Sequence, residues 1–219
     1  MSTVRYEIEY FPVPGRAEVA RLILAAAGAE WSDKSVTWGE WNDKKDGTPF
    51  GQMPVLVEYK KDEETFRVAQ AHTIERYLAR KFGFAGSSEQ DMAILDSIGE
   101  LHTALYMFTR GAPEVERPAL KAKFLSTSLP TTYKFHQRFL QKNGDNGHYL
   151  GQSLTWPDIY LFYMMEELIE MEGREFLAGV PAWEKVFQVV GEVEGVKAYV
   201  GSDKRIKNGP ILKGGDPHV

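Results

Sequence analysis

Apolar and polar residues alternate from the start of the chain: Val4, Tyr6, Ile8 and Tyr10 are interleaved with Arg5, Glu7 and Glu9. A period of two belongs to a strand with one buried face, so it predicts a strand ending near Phe11, with Tyr10 at its C-terminal end. Pro12-Val13-Pro14-Gly15 breaks that strand. Val19, Leu22, Ile23 and Ala26 then recur at helical spacing until Gly28 stops the run. A second strand over residues 31–37 completes a parallel βαβ unit with a right-handed crossover. Residues 38–50 are polar and irregular. Beyond them, Val55-Leu56-Val57 and residues 65–68 flank the charged turn Lys60-Lys61-Asp62-Glu63-Glu64, the pattern of an antiparallel hairpin. Ile74, Tyr77 and Leu78 mark a closing helix, so the predicted order is βαβ and then ββα.

Glycine and serine cluster in Gly83-Phe84-Ala85-Gly86-Ser87-Ser88, and everything downstream changes to long helical periodicity. The expected division is an α/β domain over residues 1–82, a linker over 83–88 and an all-helical domain over 89–219. Helices are expected at 89–110, 114–142, 155–171 and 181–199, with Pro130 interrupting the second. The Gly-, Lys- and Pro-rich tail from 202 to 219 is expected to be mobile or laid over a surface. Thr155-Trp156-Pro157-Asp158 carries the spacing of a capping box, a structural feature.

Composition narrows the chemistry. With 219 residues, 43% of them hydrophobic, the chain can bury a real core. No run approaches the roughly 18 apolar residues of a membrane span, and strand-like alternation begins at once where a signal peptide would have its apolar core, so a cytoplasmic protein is expected. The net charge of -5 comes with scattered Lys and Arg, and no basic stripe for nucleic acid is visible. Cysteine is absent, which excludes disulfides, thiolate metal sites and a protein-borne thiol nucleophile. Any thiol chemistry must use a thiol that arrives with the ligand. The five histidines show no metal spacing, and the Glu-rich stretch 166–175 reads as a solvated helix face, so no metal is expected.

Met53-Pro54 stands just ahead of an apolar strand, after Pro49-Phe50-Gly51-Gln52. A cis bond there would turn the Met53 backbone outward, offering its N–H and C=O to a ligand's peptide group as an added strand does. A trans proline opening an edge strand is the commoner arrangement, since only about 5–6% of X-Pro bonds are cis. The surrounding residues favour the first reading. Tyr10-Phe11 ahead of Gly15-Arg16-Ala17-Glu18, Trp41 with Lys45, Pro49 to Pro54, and Gln70 followed by Ile74 and Arg76-Tyr77-Leu78 together resemble the cytosolic glutathione S-transferases, the Sigma class most closely. Ser153 to Asp158 and Val180-Pro181 extend the resemblance over nearly the whole chain.

The resemblance implies a thioredoxin-like N-terminal domain, an all-helical C-terminal domain, a homodimer, and glutathione as co-substrate for conjugation to a small hydrophobic electrophile. A thiol of pKa about 8.5 is only a few per cent thiolate near neutrality, and the phenol of Tyr10 would stabilise the anion. Arg16 would steady the same neighbourhood. Trp41, Lys45, Gln52, Met53, Pro54, Gln70 and Ala71 would hold glutathione, and Phe11, Val13, Tyr106, Met107 and Phe108 would line the electrophile pocket. Core packing accounts for those apolar side chains equally well. Two departures from the family pattern stand out. Ala71 replaces the usual serine after Gln70, and Thr103 and Ala104 occupy the place of an acidic residue lent by the partner subunit, for which Asp96 or Glu100 would have to substitute. A noncatalytic relative with a weakened glutathione site, and a glutathione-dependent isomerase, are the alternative expectations.

Overall fold

The computed structural model describes residues 4–100, 113 and 115–207. The chain divides into two compact units: residues up to 84 together with 192–207, and residues 85–191. The second boundary is a finding. The 181–199 segment expected as one helix is two, Pro181–Gly191 and Glu194–Val200, separated where Val193 takes an extended conformation. The latter helix and the turn after it group with the sheet, not with the helical region to which the sequence pattern assigned them.

In the first unit, β1 (Val4–Tyr10), β2 (Glu30–Ser35), β3 (Val55–Lys60) and β4 (Glu63–Ala69) form a sheet of order β2-β1-β3-β4. β1 and β2 are parallel, joined through α1 (Glu18–Ala26), and the other pairings are antiparallel. The β3–β4 hairpin turns on Lys61 and Asp62, both at positive φ, as a two-residue turn matched to strand twist requires. The segment expected to be irregular contains a single helical turn, α2 (Trp41–Lys44), with a 3-10 turn, Lys45–Gly47, behind it. α3 (Ala71–Phe82) closes the unit and ends on Gly83 in the left-handed conformation.

The alternation in β1 sorts its residues as expected. Ile8 lies opposite Leu56 and is buried with Leu22, Ile23, Ile74 and Leu78 of the helices. The other face carries a small apolar cluster of Val55, Val57 and Ala69, with charges beside it. Glu9 there accepts from Lys34 of β2 at 2.7 Å and from Arg67 of β4 at 3.1 Å.

The regular elements described in the second unit are all helical, among them α4 (Glu89–Gly99), α5 (Arg117–Lys123), α6 (Leu129–Lys142), α7 (Trp156–Glu172) and α8 (Pro181–Gly191). The interruption expected at Pro130 takes the form of a π-helical turn, Phe124–Ser128, immediately before the proline's helix. Residues 101–110 of the expected first helix lie outside the described residues. Thr155 caps α7 as its spacing predicted. Its N–H and hydroxyl both donate to the buried Asp158 carboxylate, which also accepts the Tyr149 N–H at 2.9 Å. Trp156, Trp183, Leu161, Met165 and Val186 fill the core. No described helix is long and apolar enough to cross a membrane.

His136 is a titratable group inside this core. It is fully buried, with Nδ1 against the Tyr149 hydroxyl and its ring edge-on to Trp183. Burial lowers its pKa from 6.5 to about 4. The unfolded chain therefore takes up a proton through a range where the folded chain does not. Stability present above about pH 6.5 should be lost as pH falls toward about 4, by up to about 3 kcal/mol at about 1.4 kcal/mol per pH unit. Urea unfolding of the parent and of His136→Gln across that range checks this. The variant's stability should fall less steeply, and an unchanged slope would remove His136 as its source.

Candidate functional site

Strand direction decides where the chemistry gathers. β1 and β2 run parallel and end at Tyr10 and Ser35; β4 ends at Ala69, paired with Val55 where β3 begins. Tyr10, the segment after β2, Met53-Pro54 and Gln70 are therefore brought to one end of the sheet. The Val36 N–H, donating to the Tyr10 carbonyl at 2.8 Å, carries the parallel pairing one residue past β2. The Met53-Pro54 bond is cis, and the strand ladder starts only after it, at Val55.

Tyr10 is buried, but its hydroxyl is held at a specific place. The backbone N–H of Arg16 donates to the phenol oxygen at 3.2 Å. Gly15 makes this approach possible. Its φ is +45°, and a Cβ there would lie 2.9 Å from the Tyr10 hydroxyl. Arg16 is exposed at the side chain, so its described link to Tyr10 is through the backbone.

The glutamine pair is also joined. Gln70 Nε2 donates to Gln52 Oε1 at 2.7 Å, which ties the segment before the cis-proline to the start of α3. Gln70 sits at φ 77°, ψ 119°, a region few non-glycine residues occupy, and Ala71 is the first residue of the helix that follows. The helix therefore begins at this end of the sheet with an alanine and presents no serine hydroxyl there. Trp41 is buried as the first residue of α2, whereas Lys45 is exposed.

Of the apolar residues expected around an electrophile, Phe11 is only 1% exposed, stacked on Trp38 at 3.7 Å between ring centroids and edge-on to Trp41 and Tyr10. Val13 is half-buried. Tyr106, Met107 and Phe108, like Thr103 and Ala104, lie outside the described residues. Among the described residues no group of His, Asp and Glu is placed to hold a metal.

Sequence reasoning missed what stands behind the Tyr10 loop. Arg21, fully buried in α1, donates to the carbonyls of Val13 and Pro14 at 3.3 and 3.1 Å, to Asp33 at 2.8 Å and to Glu18 at 3.2 Å. Burial by itself lowers the Arg21 pKa, but Asp33 and Glu18 outweigh it and the net direction is upward. The available signal was an Arg three residues after a Glu in a helix otherwise apolar on nearly every side. Trp38 was also passed over, because nothing in a polar loop announces a stacking partner.

Comparison with known proteins gives a consistent picture. Residues 99–203 match the sequence profile of the glutathione S-transferase C-terminal domain. The chain is 32% identical over 173 residues to probable glutathione S-transferase 7 of Caenorhabditis elegans, covering 76% of this chain and 81% of that one. It is 30% identical over 206 residues to glutathione S-transferase 1 of Ascaris suum, covering 90% and 95%. The solved structure of a Sigma-class glutathione S-transferase from Fasciola hepatica superposes with a TM-score of 0.78 at 25% identity, covering 90% of this chain and 95% of that one.

Proposed function

This chain belongs to the glutathione S-transferase family, and from that membership we propose that it conjugates glutathione to small hydrophobic electrophiles, with Tyr10 stabilising the thiolate. The observation that carries the proposal is the convergence, at one end of the sheet, of the Tyr10 hydroxyl, the cis Met53-Pro54 bond and the Gln52–Gln70 pair. These groups suit the parts of one tripeptide. Met53 offers backbone N–H and C=O to the cysteinyl unit. The N-terminal turn of α3, with Gln70, offers donors and a favourable dipole to the γ-glutamyl carboxylate. Trp41 and Lys45 reach the glycyl end.

The chemistry follows from the placement of one hydroxyl. Donation from the Arg16 N–H to the phenol oxygen polarises the O–H toward whatever accepts its proton. The acceptor is the sulfur of glutathione, whose own proton passes to solvent. Lowering a thiol pKa by about two units needs roughly 2.7 kcal/mol of differential stabilisation, which a charge-assisted hydrogen bond with local dipoles supplies. The thiolate then attacks the electrophilic carbon, an S–C bond forms, and a halide or other leaving group departs with its electron pair. A homodimer and a cytoplasmic location belong to the same proposal.

Replacing Tyr10 with Phe should leave the fold intact while raising the apparent thiol pKa of bound glutathione and slowing conjugation of an aryl halide. Rates equal to the parent's across the neutral and mildly alkaline range would remove Tyr10 from the mechanism.

Ala71 sets a second expectation. A serine hydroxyl donating to the γ-glutamyl carboxylate is worth about 1.5–3 kcal/mol, or roughly 10- to 150-fold in affinity. Alanine leaves only the backbone donors, so this chain should bind glutathione weakly for its family. Ala71→Ser should lower the calorimetric dissociation constant by about tenfold or more, with the thiol titration nearly unchanged because the carboxylate is remote from sulfur. An unaltered dissociation constant would mean that the carboxylate is not held at Ala71, and would strengthen the noncatalytic alternative.

A further inference from the structure

Glu18 is completely buried, and three donors converge on its carboxylate from separate parts of the first unit. Arg21 reaches Oε2 at 3.2 Å from the same helix. The hydroxyl of Tyr199, in α9 (Glu194–Val200), reaches Oε2 at 3.3 Å. Arg205 Nε, in the turn beyond that helix, reaches Oε1 at 3.0 Å. Two of the three thus come from about 180 residues downstream.

This C-terminal segment is fastened closely. Gly195 lies so near the end of α1 that a Cβ on it would fall 1.9 Å from the Ala25 carbonyl oxygen. Tyr199 packs edge-on to Trp31, and Lys204 donates to the Trp31 carbonyl at 2.7 Å. From Arg205 an unbroken series of contacts leads to the catalytic hydroxyl. Arg205 holds Glu18, Glu18 holds Arg21, and Arg21 holds the carbonyls of Val13 and Pro14. The next two residues are Gly15, packed on the Tyr10 hydroxyl, and Arg16, whose N–H donates to it.

We propose that Arg205 and Tyr199 are positioning residues for thiolate formation, acting on Tyr10 through Glu18, Arg21 and the 13–16 loop. The proposal rests on Tyr10 as the thiolate's partner. Its physical basis is competition for one guanidinium. A buried carboxylate must gather charge-assisted donors, and Arg205 and Tyr199 satisfy enough of Glu18 to leave Arg21 Nη1 directed also at the two loop carbonyls. Without them Glu18 draws Arg21 toward itself. The loop then loses its donor, and the Arg16 N–H shifts from the phenol oxygen. Among the described residues, the other charged groups facing this cluster include Asp33, already bound to Arg21, and Lys204 beside Trp31.

The test uses the full chain and four readouts: the pH titration of bound thiolate by ultraviolet absorbance, kcat/KM against pH with an aryl halide, the glutathione Kd, and the thermal midpoint. Arg205→Leu should raise the apparent thiol pKa by about half a unit to one unit, lowering kcat/KM about three- to tenfold on the acid side while Kd stays within about twofold. The activity should recover at alkaline pH. Arg205→Lys should retain most of it. Tyr199→Phe removes only a hydroxyl, keeps the ring on Trp31, and should show the same effect at about two- to threefold, so the test survives a failure of Arg205→Leu to fold. In a Tyr10→Phe background, Arg205→Leu should shift the thiol pKa no further, because both act through one hydroxyl. A lowered melting point with an unmoved thiol titration would reduce the segment to a structural cap and overturn the proposal, as would additive shifts in the double variant. If Tyr10→Phe alone leaves the titration unmoved, the thiolate reading falls and this one with it. If Tyr10→Phe shifts it and neither Arg205→Leu nor Tyr199→Phe does, only this one falls.

Discussion

A carboxylate and a guanidinium with no exposed surface, Glu18 and Arg21, lie one helical turn apart at the start of α1, and much of the first unit is arranged to keep them supplied with partners. Taking two charges out of water costs several kcal/mol for each, and their mutual attraction repays it only when the remaining donors and acceptors are also met. Asp33 from β2, the carbonyls of Val13 and Pro14, Tyr199 and Arg205 meet them. They come from three separate stretches of chain. An interaction that stabilises little by itself therefore selects one arrangement of strand, helix, loop and C-terminal segment, because every alternative leaves a buried charge unpaired.

The sheet turns that local order into a site. Parallel pairing of β1 with β2 and antiparallel pairing with β3 bring three strand ends and one strand start to the same edge. Backbone groups there have not yet entered the ladder, as at Met53, or stand in the first turn of a helix, as at Ala71. Polar main chain that is ordered but not consumed by secondary structure is what a peptide-like ligand requires. Side-chain contacts at this edge include the hydrogen bond from Gln70 to Gln52 and the aromatic stack of Phe11 on Trp38.

Helices of the second unit solve a different problem, the burial of tryptophans and polar residues in one core. Asp158 caps its own helix and fastens the preceding loop at Tyr149, so that helix initiation and loop placement share a carboxylate. His136, neutral at ordinary pH because burial lowers its pKa, sits between Tyr149 and Trp183 as an aromatic with a polar edge. These residues order the unit without taking part in the chemistry proposed for the first.

Periodicity and chain punctuation were enough to place β1 to β4, α1, α3 and the Thr155 cap, because strand alternation, the charged hairpin turn and the capping box are set by neighbours within a few residues. The places of the proposed site residues were legible to the same extent, Tyr10 at a strand end, Met53-Pro54 ahead of another and Gln70 with Ala71 at a helix start, whereas the roles proposed for them came from the resemblance to a family. The single turn of α2 was not, since four residues carry no period. Nor was the break after Gly191, where local propensity favoured a longer helix and packing against α1 placed the final turns with the other unit. Glu18 and Arg21 stood in plain view as a spaced pair of charges. Their meaning depended on Tyr199 and Arg205, far along the chain, and on which carbonyls a buried guanidinium could reach. Local spacing determines which element forms; only the tertiary structure decides which distant groups a buried charge will meet, because desolvation makes that choice all at once and in three dimensions.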